Sequence, residues 1–156
     1  MPWITDADEK QEVILRILRA LPDWFGIPEA VDQYRRDGRD LPCYTARRDG
    51  KVVGFVSAKE TSECALEMHV LGVLPEYHRR GAGRELVHAC ETYCKERGLP
   101  VLHVKTVDCK AQDAEYLKTY AFYRETGFLP LETLPLWDEA NPCLVLVKFV
   151  DERSIV

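Results

Sequence analysis

The chain has 156 residues and a formal net charge of −5, with 46% apolar and 30% charged residues. That is the length of one domain with room for a sizeable core, and the balance is globular rather than disordered or fibrous. An acidic chain lacks the basic surface that general nucleic-acid binding needs, no apolar run is as long as a membrane span, and the first residues lack a basic-then-apolar signal pattern, so a cytoplasmic protein with neither nucleic-acid nor membrane partner is expected.

Pro2–Thr5 reads as a short first edge strand, and Asp6 as a helix N-cap with Glu9 as its capping-box partner. Val13, Ile14, Ile17, Leu18 and Leu21 fall on one face of the helix that follows, which Pro22 ends. Asp23–Ile27 is a loop carrying Trp24 and Phe25, which either plug the core or wall a substrate pocket. Pro28 suits the first turn of a second helix, predicted to reach about Arg36 and to stop before Asp37-Gly38. Leu41–Arg47 and Val52–Lys59 read as strands joined by Arg48-Asp49-Gly50-Lys51, because Asp-Gly supplies the positive φ that a two-residue hairpin needs. Thr61-Ser62-Glu63 turns the chain again into a third strand, Ala65–Val73, which Pro75 stops.

Glu85–Arg97 has a helical stripe at Leu86, Val87, Cys90 and Cys94, and Gly98 stands where a C-cap glycine would. Val101–Val107 is another strand, and strand–helix–strand implies a parallel pair. After a polar stretch, Asp108–Glu115, a helix from about Tyr116 to Thr126 ends at Gly127. Phe128–Leu134 and Pro142–Val150 are the last strands, joined through Pro135, Trp137, Asp138, Glu139 and Asn141. With no repeat or linker, residues 1–156 read as a single domain. The cysteines, at 43, 64, 90, 94, 109 and 143, are expected as reduced thiols. Cys90 and Cys94 lie near His88 but sit on the apolar stripe, so two core thiols are expected there and no metal site.

The chemistry concentrates between the third strand and the third helix, in Val73-Leu74-Pro75-Glu76-Tyr77-His78-Arg79-Arg80-Gly81-Ala82-Gly83-Arg84. A strand feeds a glycine-containing turn that opens a helix. The first amides of a helix have no partner inside it, and the dipole there favours negative charge. Gly81 and Gly83 let a ligand approach the backbone, and the stretch suits a phosphate or pyrophosphate. A P-loop is excluded because Arg84-Glu85 follow the second glycine, and a dinucleotide fingerprint because Leu86 takes the place of its third.

The six residues His78-Arg79-Arg80-Gly81-Ala82-Gly83 resemble the acyl-CoA loop of the GNAT acetyltransferase superfamily, Gln/Arg-x-x-Gly-x-Gly/Ala, with His78 departing from the usual Gln or Arg. Ala121-Phe122-Tyr123-Arg124-Glu125-Thr126-Gly127-Phe128 resembles the superfamily's Ala-x-x-Phe-Tyr-Glu-x-x-Gly-Phe helix end, and the order of elements is similar over essentially the whole chain. The resemblance implies a GNAT fold of the α/β (mixed α+β) class: a central mixed, mostly antiparallel sheet with a splayed parallel strand pair and helices on both faces. It implies acetyl-CoA as co-substrate, its pyrophosphate on the amides from Arg79 through Arg84 and its pantetheine along the backbone of Leu71 and Val73. Tyr116 stands where many members have a CoA-contacting Asn. Dimerisation is common in the superfamily.

The activity so implied is acetyl transfer to a primary amine by direct attack. The amine must be neutral to attack, the oxyanion needs a donor, and the thiolate leaves more easily with an acid nearby. Tyr123 matches the family's acid, the other role for its ring being core packing. Glu67, six residues before Val73, matches the glutamate that activates the amine in histone-type members; His69, on the same face of a regular strand, is the second candidate base, and either could instead be solvated at a strand end. None of the cysteines sits in an activating motif. Trp24 to Tyr34, Phe25 among them, and Leu134 to Pro142, with Trp137, are the selectivity elements; their aromatic and acidic mix favours a small cationic amine as acceptor. The rival reading is a non-catalytic acyl-CoA sensor on the same fold.

Overall fold

The computed structural model describes residues 3–108, 114–137 and 142–150. Cys109 and three residues of the last connection, Asp138, Glu139 and Asn141, lie outside them. In chain order the elements are β1 (Trp3–Ile4), α1 (Ala7–Arg19), α2 (Pro28–Gly38), β2 (Cys43–Arg48), β3 (Lys51–Ser62), β4 (Ala65–Val73), a 3-10 turn (Pro75–Tyr77), α3 (Ala82–Arg97), β5 (Val101–Val107), α4 (Ala114–Glu125), β6 (Leu129–Leu134) and β7 (Cys143–Phe149). The strands form a seven-stranded sheet in the order β1-β2-β3-β4-β5-β7-β6. β4 and β5 run parallel, while β1–β2, β2–β3, β5–β7 and β6–β7 are antiparallel. The chain divides into two compact units, Met1–Lys59 with His69–Cys90, and Glu60–Met68 with Glu91–Val156.

In the first unit, Asp6 caps α1 by accepting from the Glu9 amide at 3.0 Å. The predicted apolar face of α1 is buried: Ile14, Ile17 and Leu18 are fully so, Val13 and Leu21 nearly. That face lies against β4 at Gly72, where a Cβ would stand 3.0 Å from Ile17 Cγ2 and 3.2 Å from Leu21 Cδ1. At Gly54 on β3 a Cβ would meet the Gly72 carbonyl and Val73 Cγ2, each at 3.1 Å, and Leu86 Cδ1 of α3 at 3.4 Å. Gly72 and Val73 are successive strand residues and point to opposite faces, so α1 and α3 cover opposite faces of the sheet here. Asp49 (φ 52°) and Gly50 (φ 76°) make the expected hairpin turn, with Arg48 paired to Lys51.

Several boundaries differ from the sequence reading, three of them around the residues of interest. α2 continues through Asp37 and Gly38; Gly38 is tolerated because its hydrogen faces Ile14, whose Cδ1 would lie 2.2 Å from a Cβ. β3 runs on to Ser62, and the turn is Glu63-Cys64, with the Cys64 amide bonded to Ser62 Oγ at 3.1 Å. α3 begins at Ala82, inside the glycine turn, rather than at Glu85.

In the second unit, Leu66, Leu102, Phe128 and Leu146 are fully buried. Two helix ends are capped in the same way, each by its own glycine. Gly98 (φ 68°) lets the Leu99 amide reach back to the Cys94 carbonyl at 2.9 Å, and Gly127 (φ 100°) lets the Phe128 amide reach Tyr123 at 2.9 Å. Lys148 Nζ is held by Glu91 Oε1 at 2.6 Å and by the Thr126 carbonyl at 2.5 Å, just beyond α4. Among the described residues no helix is long and apolar enough to cross a membrane.

Candidate active site

The Leu74 amide donates to the Val53 carbonyl at 2.8 Å, the last tie of this segment to β3 before the chain turns away. Pro75 then starts the 3-10 turn, in which Tyr77 and His78 donate back to Leu74 and Pro75. Arg79 (φ 63°) and Gly81 (φ 84°) both take left-handed backbone and reverse the chain into α3, whose entry carries the bond from the Glu85 amide to the Gly81 carbonyl at 3.0 Å. A left-handed conformation costs a residue such as Arg79 about 1 kcal/mol or more, and such strain clusters at functional sites. Nothing lies within 4 Å of where a Gly81 Cβ would be, while Ala82 is buried. The backbone at Gly81 is therefore open to a ligand, and the next residue anchors the helix. Arg79, Arg80 and Arg84 are exposed around this turn, which gives it a positive potential in an acidic protein.

His78, the residue that departs from the family pattern, has a definite role in the fold. Its Nε2 donates to the Val73 carbonyl at 2.7 Å, and the Trp24 ring meets it edge-on at 5.5 Å. A carbonyl only accepts, so Nε2 carries the proton. One imidazole thus links the aromatic loop after α1 to the end of β4.

The pairing of β4 with β5 joins Ala65 to Val101, Leu66 to Leu102 and Glu67 to His103. Leu71, half-buried, and Val73, 8% exposed, come later on β4 than these pairs.

The two candidate bases on β4 have different surroundings. Glu67 is 6% exposed, and its Oε2 is 2.9 Å from Lys105 Nζ on β5. His69 donates from Nε2 to Asp37 Oδ2 at 3.1 Å, and the Tyr34 ring lies edge-on at 5.5 Å, both from α2. The other Asp37 oxygen accepts from Gln33 Nε2 at 2.8 Å. Burial of Leu66, Glu67 and Met68 in succession shows β4 covered on both faces there, and Glu67 and His69, two residues apart, meet different partners. His69 lines a polar cleft of about 280 Å³ with Arg36, Asp37, Asp40, Leu41 and Lys59.

Tyr123 lies on α4, 6% exposed, with its ring 5.2 Å from Phe122 and edge-on to Phe128 at 5.4 Å. Tyr116 is half-buried on the same helix, and Trp137 is 43% exposed after β6. Phe25 meets Tyr34 edge-on at 5.9 Å, so Phe25, Tyr34 and His69 form an aromatic row ending at a carboxylate. Asp37 was missed by sequence reasoning, which ended the helix before it; had the helix been continued, Gln33 and Asp37 would have been recognised as neighbours one turn apart.

On β5, His103 Nε2 lies 2.8 Å from Thr61 Oγ1, and burial holds its pKa below the ordinary histidine value, against the pull of the Glu67 carboxylate. Burial pushes the thiols of Cys43 and Cys94 up to about 12 and raises Cys143 as well, so none of the three is a poised nucleophile.

The acetyltransferase (GNAT) family model matches residues 12–128. Among solved structures, a GNAT-family protein from Desulfovibrio desulfuricans superposes with a TM-score of 0.79 at 16% identity, covering 95% of this chain and 98% of that one. Aminoglycoside 6'-acetyltransferase type Ii gives 0.71 at 21% identity, covering 96% and 97%. The PaiA N-acetyltransferase of Thermoplasma acidophilum in complex with coenzyme A gives 0.69 at 16% identity, covering 96% and 99%. Among curated proteins the sequence finds no significant match. The family match runs from within α1 to Phe128 and takes in the left-handed turn at Arg79 and Gly81, and the chain therefore belongs to the acetyltransferase (GNAT) family.

Proposed function

We propose that the protein transfers an acetyl group from acetyl-CoA to a primary amine of a small molecule in the cytoplasm, by direct attack and without an acyl-enzyme. The observation that carries this is the turn before α3, where Arg79 and Gly81 reverse the chain so that open backbone and a helix start coincide. The backbone amides from Arg79 through Arg84, with Ala82 and Gly83 between them, bind the pyrophosphate, and the three arginines draw the anion in. Pantetheine runs along the backbone of Leu71 and Val73; His78 fixes the end of that strand through the Val73 carbonyl. Tyr116 contacts CoA from α4. Coenzyme A in the PaiA structure supports the co-substrate, and the aromatic and acidic residues of Trp24 to Tyr34 and Leu134 to Pro142 support a small cationic acceptor.

The amine's nitrogen attacks the thioester carbonyl, the C–S bond breaks, and Tyr123 gives the leaving thiolate its proton. Of the two β4 residues, His69 takes the role of base because it opens on a cleft, whereas Glu67 is buried and its carboxyl group is already engaged by the Lys105 ammonium at 2.9 Å. Trp24, Phe25 and Trp137 contribute to the acceptor's surroundings. The high pKa values of Cys43 and Cys94 support direct transfer over a ping-pong route.

The test is a thiol-release screen with acetyl-CoA over amines, aminoglycosides and peptides, beside a thermal-shift titration of acetyl-CoA on the wild type and on Gly81→Asp. Thiol release with a small amine, and a shift lost in the variant, are expected. Binding with no release from any acceptor would make the protein a sensor, and equal shifts would move the CoA site away from this turn.

A further inference from the structure

We infer that Asp37 is a positioning residue that makes His69 the general base, and that the cleft beside them receives the acceptor as a protonated primary amine; this rests on the acetyl-transfer reading above. A carboxylate only accepts hydrogen bonds, so the 3.1 Å contact puts the neutral imidazole's proton on Nε2 and its basic lone pair on Nδ1. The same carboxylate stabilises the imidazolium that forms when a proton arrives. The pair is held on several sides. Gln33 donates to the second oxygen of Asp37, the Tyr34 ring packs edge-on to His69, and Phe25 packs on Tyr34. Gln33, Tyr34 and Asp37 share one face of α2, so a single helix sets the ring's position and its tautomer.

The negative charge that an ammonium would meet beside His69 is the Asp37 carboxylate, 3.1 Å from the ring. Tyr34, Arg36 and Asp37 face it from α2, Asp40 from the loop beyond, and Lys59 from β3. Arg36 is already engaged within its own helix, by an ion pair to Asp32 and a 2.7 Å bond to Gln33 Oε1. Two carboxylates, Asp37 and Asp40, and two cations, Arg36 and Lys59, thus line the cleft, with Arg36 turned toward Asp32, which Arg35 also holds. An ammonium drawn in there gives one proton to Nδ1. Its nitrogen then forms the C–N bond as the C–S bond breaks, the thiolate leaves with a proton from Tyr123, the second proton of the newly acetylated nitrogen passes through water to restore the Tyr123 hydroxyl, and the imidazolium returns its own proton to water.

The experiment is imidazole nitrogen NMR on the wild type, Asp37→Asn and His69→Gln, the last to identify which of the 4 histidines is His69. The protonated form of Nε2 in the neutral ring, and a titration midpoint that falls in Asp37→Asn, are expected. A proton on Nδ1, or an unchanged midpoint in Asp37→Asn, overturns the inference. Kinetics with putrescine as the amine add a second readout. His69→Gln should lose about a hundredfold or more in turnover at neutral pH and regain it at alkaline pH. Asp37→Asn should move the acidic limb of kcat/KM, and Asp37→Glu should restore it in part. An acidic limb that survives in His69→Gln and vanishes in Glu67→Gln assigns the base to Glu67 instead. The acetyl-CoA thermal shift is measured on every variant: its absence in the wild type overturns the acetyl-transfer reading itself, whereas its presence with the wrong tautomer overturns only the role of Asp37.

Discussion

Tyr123 has a packing role in the structure beside the chemical one proposed for it. Its ring is buried between Phe122 and Phe128, and its carbonyl caps the end of α4. Tyr123→Phe keeps both roles and removes only the hydroxyl. Turnover should fall roughly ten- to a thousandfold while acetyl-CoA affinity holds. Unchanged turnover, measured where chemistry limits the rate, would leave the residue to packing alone. His103 allows a pH test of a different kind. Its folded pKa lies below the ordinary value, so the unfolded chain takes up the proton first as pH falls. The stability it contributes is complete above about pH 6.5 and drains away below. Melting temperature should therefore drop more steeply between neutral pH and about pH 5 in the wild type than in His103→Gln; parallel curves would show that burial of His103 has no such consequence.

Among the elements, the contact of α1 with β4 depends on a missing side chain. Gly72→Ala would bring a methyl to 3.0 Å from Ile17 Cγ2, a branch fixed to its own Cβ, and to 3.2 Å from Leu21 Cδ1. Overpacking of this kind costs about 1–3 kcal/mol, so a melting point lower by several degrees is expected, and a variant as stable as the wild type would show that α1 can move. Period and punctuation made most elements legible in the sequence. The apolar spacing from Val13 to Leu21 is a helix face because only that fold buries all five residues, and Asp49-Gly50 is a hairpin because few other pairs accept two positive φ angles. The end of α2 was not legible, since Asp-Gly is as good a stop signal as it is a tight packing point. What decides between them is Ile14, a residue on another helix.

At the scale of the molecule, β3, β4 and α3 each have residues in both compact units. Neither unit is a continuous stretch of chain, so unfolding one pulls on elements of the other. One calorimetric transition is expected, with equal van't Hoff and calorimetric enthalpies; two resolved transitions would show that the units melt separately. Acetyl-CoA at a hundred times its dissociation constant should raise stability by about 2.7 kcal/mol, a shift of roughly 5–10 °C for a chain of this length. No shift at that excess would remove the co-substrate.

The sequence by itself determined the order of elements, the turn that opens α3 and the family, because these rest on local rules. A glycine is needed where φ is positive, helix amides are open where the helix starts, and apolar residues repeat at the period of the element that buries them. The partners of polar strand residues were decided only in the tertiary structure. Glu67 and His69 are two positions apart and alike from the sequence, yet one meets the Lys105 ammonium and the other the Asp37 carboxylate, each far away along the chain. Whether a side chain can take a proton is set by the charge that folding brings to it, and no local pattern carries that information.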